Sequence, residues 1–269
     1  MNLAYIQKNW RNQQARDVQS SISAWNSVAE EYVYDGSKDL ENDSFLIYLQ
    51  SKITLTDEMR ILDVGCGAGA YSIALAPSVK KVVGVDFSPK MIEAAKHYAT
   101  ASSAHNVEFL ERDWYACPSE EFRGQYDVVL AHTTPAVADY ATLLKMMEAS
   151  KQYCFLCKPA RRTDDVFDRV KEIAGLMESK NDDSIAYTFG TVWGLGSNPE
   201  VSYQKTVWKS GRKLQDAQTW YLGRIKGFCK IDEQTEAKIM EYLKSISKDG
   251  VVKETINTTL VNMFWEISK

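Results

Sequence analysis

Residues 61–69 have the sequence ILDVGCGAG, and the helix-compatible segment AYSIALA follows directly at residues 70–76. A short apolar run thus leads into a turn with glycines at positions 65, 67 and 69. Glycines at this spacing allow the backbone to turn sharply and to approach a ligand closely, where a Cβ atom would clash. The free amide groups at the start of the next helix point to the same place. This stretch therefore predicts a strand, a glycine turn and a helix that together bind a ligand.

The next strand candidate, VVGVD, ends at an acidic residue, Asp86, seventeen residues beyond Gly69. A carboxylate at that place is suited to bind the two hydroxyl groups of a ribose, so the pair of features predicts an adenosine-bearing cofactor. The segment GCGAGA also satisfies the dinucleotide pattern G-x-G-x-x-G/A, with Ala70 in the last place. Asp63 argues against a nicotinamide cofactor, because dinucleotide-binding folds usually have an apolar residue at that position.

The composition is that of an ordinary globular protein. The chain has 269 residues, of which 45% are hydrophobic, and its net charge is −4, so nothing global draws it to nucleic acid. Its five cysteines form no disulfide framework, which favours a reducing compartment. The first seventeen residues lack the apolar stretch of a signal peptide, and no apolar run is long enough to span a bilayer. We therefore expect a cytoplasmic protein.

Strand-like and helix-like segments alternate between residues 61 and 158, which predicts a doubly wound parallel sheet. The strand candidates are 61–64, 81–86, 106–111, 126–131 and 152–158, and the helical candidates between them are 70–76, 89–100 and 137–149. The first sixty residues have the periodicity of amphipathic helices.

The second half of the chain adds two strand candidates, 201–208 and 259–267, with helical stretches at about 213–226 and 233–246 between them. The predicted fold class is therefore α/β, a doubly wound, mostly parallel, seven-stranded Rossmann-like sheet with a helical N-terminal cap and a helical insertion before the last strand. We expect a single domain over residues 1–269. Its predicted parts are a helical cap (1–58), a cofactor-binding core (59–160) and a C-terminal half (161–269) with a helical insertion (211–250).

Four segments resemble the successive motifs of class I S-adenosylmethionine-dependent methyltransferases, in the right order and at the right spacing. They are DVGCGAGAYSIAL, VVGVDFSPKMIEAAK, NVEFLERDW and YDVVLAHTTPA. The resemblance covers residues 25–160 well and residues 160–269 only as a general layout. It implies that S-adenosylmethionine is the methyl donor and S-adenosylhomocysteine the product.

The resemblance also implies roles for individual residues. Asp63 would lie near the ammonium group of the cofactor's methionine part, and Asp86 would hold the ribose hydroxyls. Asp113 would accept a hydrogen bond from the adenine amino group, and His132 would lie at the floor of the reaction site. The other implied cofactor-binding residues are Gly65, Cys66, Gly67, Gly69, Phe87, Met91, Trp114 and, in the N-terminal cap, Tyr34.

Simpler structural interpretations exist for several residues. Asp113 could cap a helix, and the apolar helix face that carries Trp25 and Tyr32 favours packing in the core for both. Cys154 and Cys157 form a C-x-x-C pattern, but residues three apart on a strand face opposite sides. Buried thiols are therefore favoured over a shared metal site, and we expect no metal.

Basic residues are concentrated in the segment 204–230, which has seven of them and a single acid, Asp216. One interpretation is a patch that attracts an anionic substrate or stacks on nucleic acid bases. The favoured interpretation is an amphipathic helix with a solvated basic face. Lys158, Arg161 and Arg162 are better candidates for binding an anionic substrate, because they follow the fifth strand and ligands bind near the carboxyl ends of strands.

The sequence favours a methyltransferase that acts on a small molecule, since HTTPAV stands where amino-methylating enzymes have Asp or Asn, two prolines and an aromatic residue. His132 is the candidate general base, because an unperturbed imidazole titrates near neutral pH; a packing role for it is the alternative. Three other functions stay open: an RNA or protein methyltransferase that uses the segment 204–230, an NAD(P)-dependent oxidoreductase, and a non-catalytic cofactor-binding module. No membrane partner is expected, and the oligomeric state is open.

Overall fold

A seven-stranded sheet with helices on both faces organises the fold. In this computed structural model the described residues are 2–10, 18–32, 42–176 and 183–268. The strands are β1 (Arg60–Val64), β2 (Lys81–Asp86), β3 (Val107–Glu111), β4 (Tyr126–His132), β5 (Ser150–Asp164), β6 (Glu200–Lys213) and β7 (Val251–Glu266). The α-helices are α1 (Leu3–Asn9), α2 (Val18–Val28), α3 (Ser44–Lys52), α4 (Ala70–Leu75), α5 (Pro89–Ala101), α6 (Tyr140–Ala149), α7 (Phe167–Ile173), α8 (Asp183–Gly194), α9 (Leu214–Lys226) and α10 (Glu233–Ile246).

The strand order is β3-β2-β1-β4-β5-β7-β6. Strands β1 to β5 are parallel to one another, and β7 is antiparallel to both of its neighbours. The order reverses between β1 and β4, where the two carboxyl ends flank the crevice in which open α/β sheets bind ligands. The predicted doubly wound, mostly parallel sheet is confirmed.

Helices cover both faces of the sheet, so the apolar runs of the central strands are buried on both sides, as in other parallel sheets. Cys154 packs on one face, in the cluster that includes Trp265. Cys157 packs on the other, in the cluster that includes Phe45. The predicted opposite orientation of the two cysteines is confirmed, and burial raises the pKa of both thiols.

Two helix starts illustrate how local sequence sets the element bounds. Helix α5 begins at Pro89, as predicted, because the Ser88 hydroxyl accepts a hydrogen bond from the Met91 amide at 3.2 Å. Helix α6 begins at Tyr140 rather than at residue 137, because Asp139 caps it and accepts a 2.9 Å hydrogen bond from the Thr142 amide. Within the described ranges, no helix has both the length and the apolar character needed to cross a membrane.

The second half of the chain departs from the predictions in three places. The strand predicted at 201–208 is confirmed as part of β6, which continues to Lys213; the helical interpretation of the basic segment is therefore wrong for residues 204–213 and holds only for α9. The predicted last strand is longer and begins at Val251, while α8 was not predicted at all.

Three strands continue past the carboxyl edge of the parallel sheet. Strand β4 ends at His132, which pairs with Cys157, while β5 runs on to Asp164. Its last part pairs with β7, and β7 pairs with β6. We call this three-stranded part, residues 158–164, 204–213 and 251–261, the extension. Helix α9 packs against it and α2 packs against α9, so the extension and the cap helix lie on the edge where ligands are expected.

Candidate cofactor and acceptor site

The glycine turn after β1 has left-handed backbone conformations at Gly65, Gly67 and Gly69, with φ of +71°, +53° and +83°. A Cβ on Gly65 would lie 1.9 Å from Thr134 Oγ1, and one on Gly69 would lie 2.6 Å from the Phe109 ring. A Cβ on Gly67 would meet nothing within 4 Å. Two of the glycines are therefore required by packing, whereas the third leaves open space above the turn.

Asp86 links the end of β2 to this turn. One of its carboxylate oxygens accepts a hydrogen bond from the Gly67 amide at 3.0 Å, and the other accepts one from the Ser88 amide at 2.9 Å. Each carboxylate oxygen has two lone pairs. The carboxylate therefore orders the turn and keeps acceptor capacity for hydroxyl groups of a ligand.

Asp63, at the end of β1, is almost fully buried, with 2% of its surface exposed. The Ser72 hydroxyl donates a 2.7 Å hydrogen bond to it. Burial and the nearby charge of Asp86 raise the pKa of the Asp63 carboxyl to about 7, against the opposing effect of the Ser72 hydrogen bond. A cation placed beside Asp63 would stabilise its charged form.

A cleft next to the turn collects several of the predicted site residues. Its lining consists of Gly65, Val85, Asp86, Phe87, Arg112, Asp113, Trp114, Thr134 and Ala136. Arg112, Thr134 and Ala136 were not predicted. Their signal was positional, because Arg112 directly follows β3 and the other two follow β4, at the carboxyl ends of the strands.

Three predicted cofactor-binding residues, Met91, Trp114 and Cys66, have other surroundings as well. Met91 is 1% exposed and packs in the apolar cluster that contains Trp220. The Trp114 indole is 2% exposed and donates its N–H to the Thr142 carbonyl at 3.2 Å, so only its edge reaches the cleft. Cys66 is half-buried, and burial together with the charges of nearby carboxylates raises its pKa. Tyr34 lies outside the described residues.

Asp113 lines the cleft and also organises its own turn. Its carboxylate accepts a hydrogen bond from the Tyr115 amide at 3.1 Å. Its carbonyl oxygen accepts bonds from the Ala116 and Cys117 amides. The capping and ligand-binding interpretations of this residue are therefore compatible.

His132 is held on both sides of its ring at the end of β4. Its Nε2 lies 3.2 Å from the Tyr71 hydroxyl, and its Nδ1 lies 3.1 Å from Thr133 Oγ1. The Tyr71 hydroxyl in turn donates to Asp43 at 3.4 Å, and the Phe45 ring lies 4.7 Å from the imidazole between ring centres. Since Tyr71 is in the first turn of α4, this contact ties the end of β4 to the helix that follows the glycine turn.

The three cations predicted to bind an anionic substrate are separated by a β-bulge between Ala160 and Thr163. Lys158 is 7% exposed and donates to the Val137 carbonyl at 2.7 Å, and burial lowers its pKa to about 8. Arg161 has a left-handed φ of +50° and is exposed. Arg162 forms an ion pair inside the extension. Lys158 is thus used by the fold, whereas Arg162 pairs with the buried Asp164 and keeps part of its side chain exposed.

The residues of the glycine turn fit a cofactor with a ribose and an amino acid part. The open space above Gly67 admits a ligand close to the backbone, Asp86 offers acceptors to hydroxyl groups, and Asp63 favours a cationic neighbour. S-adenosylmethionine carries each of these groups.

Trp25 packs edge-on against Trp220 at 5.4 Å between ring centres, while Tyr32, for which core packing was predicted, is 45% exposed.

Comparison with known proteins agrees with this geometry. A methyltransferase domain family matches residues 55–184. Demethylmenaquinone methyltransferase of Lactococcus lactis is 38% identical over 91 residues, which are 32% of this chain and 35% of that protein. A 23S rRNA (uracil(1939)-C(5))-methyltransferase, RlmD of Shewanella sediminis, is 30% identical over 126 residues, which are 46% of this chain and 28% of that protein.

A solved structure shares the fold across most of the chain. The YcgJ protein of Bacillus subtilis superposes with a TM-score of 0.50 at 16% identity, covering 84% of this chain and 98% of that one. The chain spans only about a fifth to a third of the length of the curated relatives it matches. The matched part contains the glycine turn, Asp86 and His132, which together form the carboxyl edge described above. The family match therefore identifies residues 55–184 as a methyltransferase domain.

Proposed function

We propose that the whole protein transfers a methyl group from S-adenosylmethionine to a small molecule bound between the cofactor cleft and the extension. The observation that carries this proposal is the arrangement at the carboxyl edge. The glycine turn, the His132 ring and the covered face of the extension share that edge, and α2, α3 and α9 pack over it. A small acceptor fits such a covered space better than a folded macromolecule does.

In this proposal the cofactor is bound by residues of three strand ends. Asp86 accepts hydrogen bonds from the ribose hydroxyls, Asp63 lies near the ammonium group, and Asp113 receives the adenine amino group. Gly67 allows the close approach of the backbone. The same roles are implied by the family motifs.

Bound S-adenosylmethionine supplies a methyl group on a positively charged sulfur, a carbon that is already activated for in-line displacement. The task of the chain is then to hold donor and acceptor in line and to exclude water, and such alignment is worth several kcal/mol. The cap helix α2 contributes to closure through Asn26, whose side-chain oxygen accepts a 2.8 Å hydrogen bond from the Ser88 hydroxyl next to the cofactor cleft.

His132 is the proposed proton acceptor for a neutral acceptor group. Its contact with Tyr71 fixes the ring, and the Asp43 carboxylate behind Tyr71 stabilises a polarised hydroxyl. Removal of a general base typically costs a factor of about 10² to 10⁴ in rate. His132→Gln should therefore lower the methylation rate by about that factor, without weakening the binding of S-adenosylhomocysteine.

The test is transfer from isotopically labelled S-adenosylmethionine to a small-molecule extract of the source cell, with bulk RNA from the same cell in a parallel reaction. The proposal expects a labelled small product and unlabelled RNA. Label in RNA alone would contradict the proposal. A ligand of the native state raises its apparent stability, so thermal stabilisation by NADH but not by S-adenosylhomocysteine would contradict it as well. Cofactor binding without any labelled product would favour a non-catalytic binding module.

An RNA acceptor is the second candidate, and the solvent face of β6 favours it. Tyr203 is 71% exposed there, and Lys205, Lys209 and Lys213 lie on the same face of the strand. Lysines interspersed with an aromatic ring are typical of single-stranded nucleic acid binding. The local similarity to an rRNA methyltransferase also supports this alternative.

A further inference from the structure

Three arginines converge on the covered face of the extension. Arg212 lies on β6, Arg162 lies on β5 within the β-bulge between Ala160 and Thr163, and Arg224 reaches the same place from α9. Their carboxylate partners, Asp164 on β5 and Glu254 on β7, are 2% and 3% exposed at the side chain. We call these five residues the arginine cluster.

The buried acids do not balance the three arginines. A single oxygen of Asp164 accepts from both Arg162, at 3.0 Å, and Arg224, at 3.4 Å. Glu254 accepts from Arg212 at 3.0 Å. Without the cap, the cluster therefore has three positive and two negative charges, and burial together with the proximity of Arg162 lowers the pKa of Arg224. The third acid, Glu31, approaches Arg212 from the cap with 36% of its side chain exposed.

The cluster also has unused hydrogen-bond donors. Within the described residues, Arg212 Nε and Trp220 Nε1 are buried without a partner. Arg224 and Arg162 each donate one hydrogen bond there, although a guanidinium carries five N–H groups. Buried donors without partners are uncommon in native proteins and call for an explanation such as a ligand.

Aromatic rings surround these cations. Arg224 lies over Phe167 at 3.7 Å and over Trp220 at 5.3 Å, and Arg162 lies over Trp208 at 5.8 Å, each from Cζ to the ring centre. The ring faces that would attract a cationic ligand are thus already occupied by the protein's own guanidinium groups. The unpartnered donors, and an Arg212 guanidinium that Glu31 neutralises only from the partly exposed cap, suit an anion.

The cluster adjoins the proposed methyl-donor site. Ala68 in the glycine turn, Met91 of α5, and Phe167 and Trp220 beside the arginines belong to one continuous apolar cluster. The β-bulge places the end of β5 on this side of the sheet, whereas Lys158, before the bulge, packs on the other side against Trp10. Bulges commonly re-aim side chains in this way.

We propose that the arginine cluster binds the anionic group of the methyl acceptor, a carboxylate or a phosphate carried on a flat apolar body. This inference rests on the proposed function, because it names the class of molecule that the same site would methylate. Arg212 Nε and Trp220 Nε1 supply the buried donors without a partner. Arg162 and Arg224 add the guanidinium donors that Asp164 does not use, and Glu31 competes with the ligand for Arg212. The apolar residues that continue from the cluster to Ala68 and Met91 contact the body of the acceptor and keep it next to the donor.

The test is calorimetric titration of the full chain with benzoate, phenyl phosphate and neutral benzamide, each in the presence of S-adenosylhomocysteine. Benzoate or phenyl phosphate should bind at least about tenfold more tightly than benzamide, the effect expected of one charge-assisted hydrogen bond. The tighter of the two anions identifies the anionic group. Arg162→Gln should remove that preference, and it keeps the fold because the Arg162 side chain is 32% exposed and Arg224 still pairs with Asp164.

Arg169→Gln is the matched control, because the Arg169 side chain is 57% exposed on α7 and pairs only with Glu172 within the described residues. It should leave all three affinities unchanged. The inference is wrong if neither anion binds more tightly than benzamide, or if Arg162→Gln binds them as well as the unaltered chain does. Failure of S-adenosylhomocysteine to bind is a separate result, which would contradict the proposed function instead.

Discussion

At the scale of single residues, two buried carboxylates a few ångströms from the glycine turn differ in what surrounds them. Burial raises the pKa of Asp86, but the backbone hydrogen bonds that it accepts at both oxygens oppose this shift and favour its charged form. Asp63 accepts the Ser72 hydroxyl and faces the charge of Asp86, so its charged form is disfavoured without a cation. The first residue is suited to a neutral hydroxyl ligand and the second to a cationic one.

Asp86→Ala should raise the dissociation constant of S-adenosylhomocysteine by about a hundredfold or more, because two hydrogen bonds to a charged group are lost. Isothermal titration measures this change. Asp57→Ala, at an exposed position before β1, is the control and should bind normally. An Asp86→Ala protein that folds and keeps its affinity would contradict the ribose assignment.

The raised pKa of Asp63, about 7, predicts a pH dependence of cofactor binding. Only the ionised carboxyl attracts an ammonium group, and the ligand in turn favours that ionised form. The affinity for S-adenosylhomocysteine should therefore rise by up to about tenfold per unit as the pH increases from 5 to 7, and it should level off above that range.

The control for this prediction is Asp63→Asn, which is close in size and cannot ionise. Its affinity should be low and nearly constant over the same pH range. If the affinity of the variant for S-adenosylhomocysteine rises with pH as steeply as that of the unaltered protein, another group causes the pH dependence. Asp63 then does not face the ammonium group.

At the scale of elements, the glycine turn separates a packing requirement from a ligand requirement. Gly65→Ala would place a Cβ 1.9 Å from Thr134 Oγ1, so it should lower the unfolding free energy by several kcal/mol or prevent folding. Gly67→Ala meets no atom within 4 Å and should cost only about 1–2 kcal/mol for its left-handed backbone. If the cofactor occupies that space, Gly67→Ala should nevertheless bind S-adenosylhomocysteine at least about tenfold more weakly. Thermal unfolding and titration of the same samples separate the two effects, and normal affinity in Gly67→Ala would place the cofactor elsewhere.

The cap should respond to a single charge on its inner side. Glu31, in the 3-10 turn after α2, accepts a 2.8 Å hydrogen bond from Arg212. If Glu31 competes with an anionic acceptor, Glu31→Gln should tighten benzoate binding by a few-fold to about tenfold. Glu30→Gln on the same exposed turn is the matched control. Weaker benzoate binding in Glu31→Gln would mean that the cap residue supports the site instead of competing for it.

The elements that the sequence predicts well are those with local causes. The glycine turn, the Ser88 cap and the apolar runs of β1 and β2 depend on neighbours in the chain, so their patterns are readable. Strand β6 is different. Its inward residues, such as Trp208 and Arg212, alternate with outward lysines, and this alternation continues to Lys213. The strand predicted at 201–208 is confirmed, but the abundance of basic residues suggested a helix for the segment 204–230, whereas the period of two was the correct signal as far as Lys213.

The site, too, can be predicted from the sequence only where local sequence determines it. Asp63 and Asp86 are predictable because the motif contains them, but Thr134 reaches the glycine turn only through the pairing of β1 with β4. The arginine cluster combines β5, β6, β7 and α9, and no local pattern indicates that Arg162 and Arg224 share Asp164. Tertiary contacts of this kind depend on the sheet order and on a β-bulge, neither of which has a signature in a single sequence.

At the scale of the whole molecule, the distribution of charge distinguishes the two candidate acceptors. The segment 204–230 is strongly basic, yet Arg212 and Arg224 are turned inward and Lys226 pairs with Glu236 at 2.7 Å. The net charge of the chain is −4, so long-range attraction to nucleic acid is weak. What remains at the surface of β6 is a narrow row of lysines, and its contribution to function can be measured directly.

Replacing Lys205, Lys209 and Lys213 together by glutamate should leave methylation of a small acceptor unchanged within about twofold, because these side chains point away from the covered face of the extension. RNA methylation would instead depend on them, since each lost phosphate contact weakens binding and reduces its salt dependence. The measurement is transfer of labelled methyl groups to the small-molecule extract and to bulk RNA at two salt concentrations. Lys238, Lys244 and Lys248 replaced by glutamate form a control of equal charge change elsewhere on the surface. If the β6 variant loses RNA labelling while the control variant keeps it, and if RNA labelling by the unaltered chain falls with salt, the acceptor is RNA. The covered space is then excluded as the acceptor site.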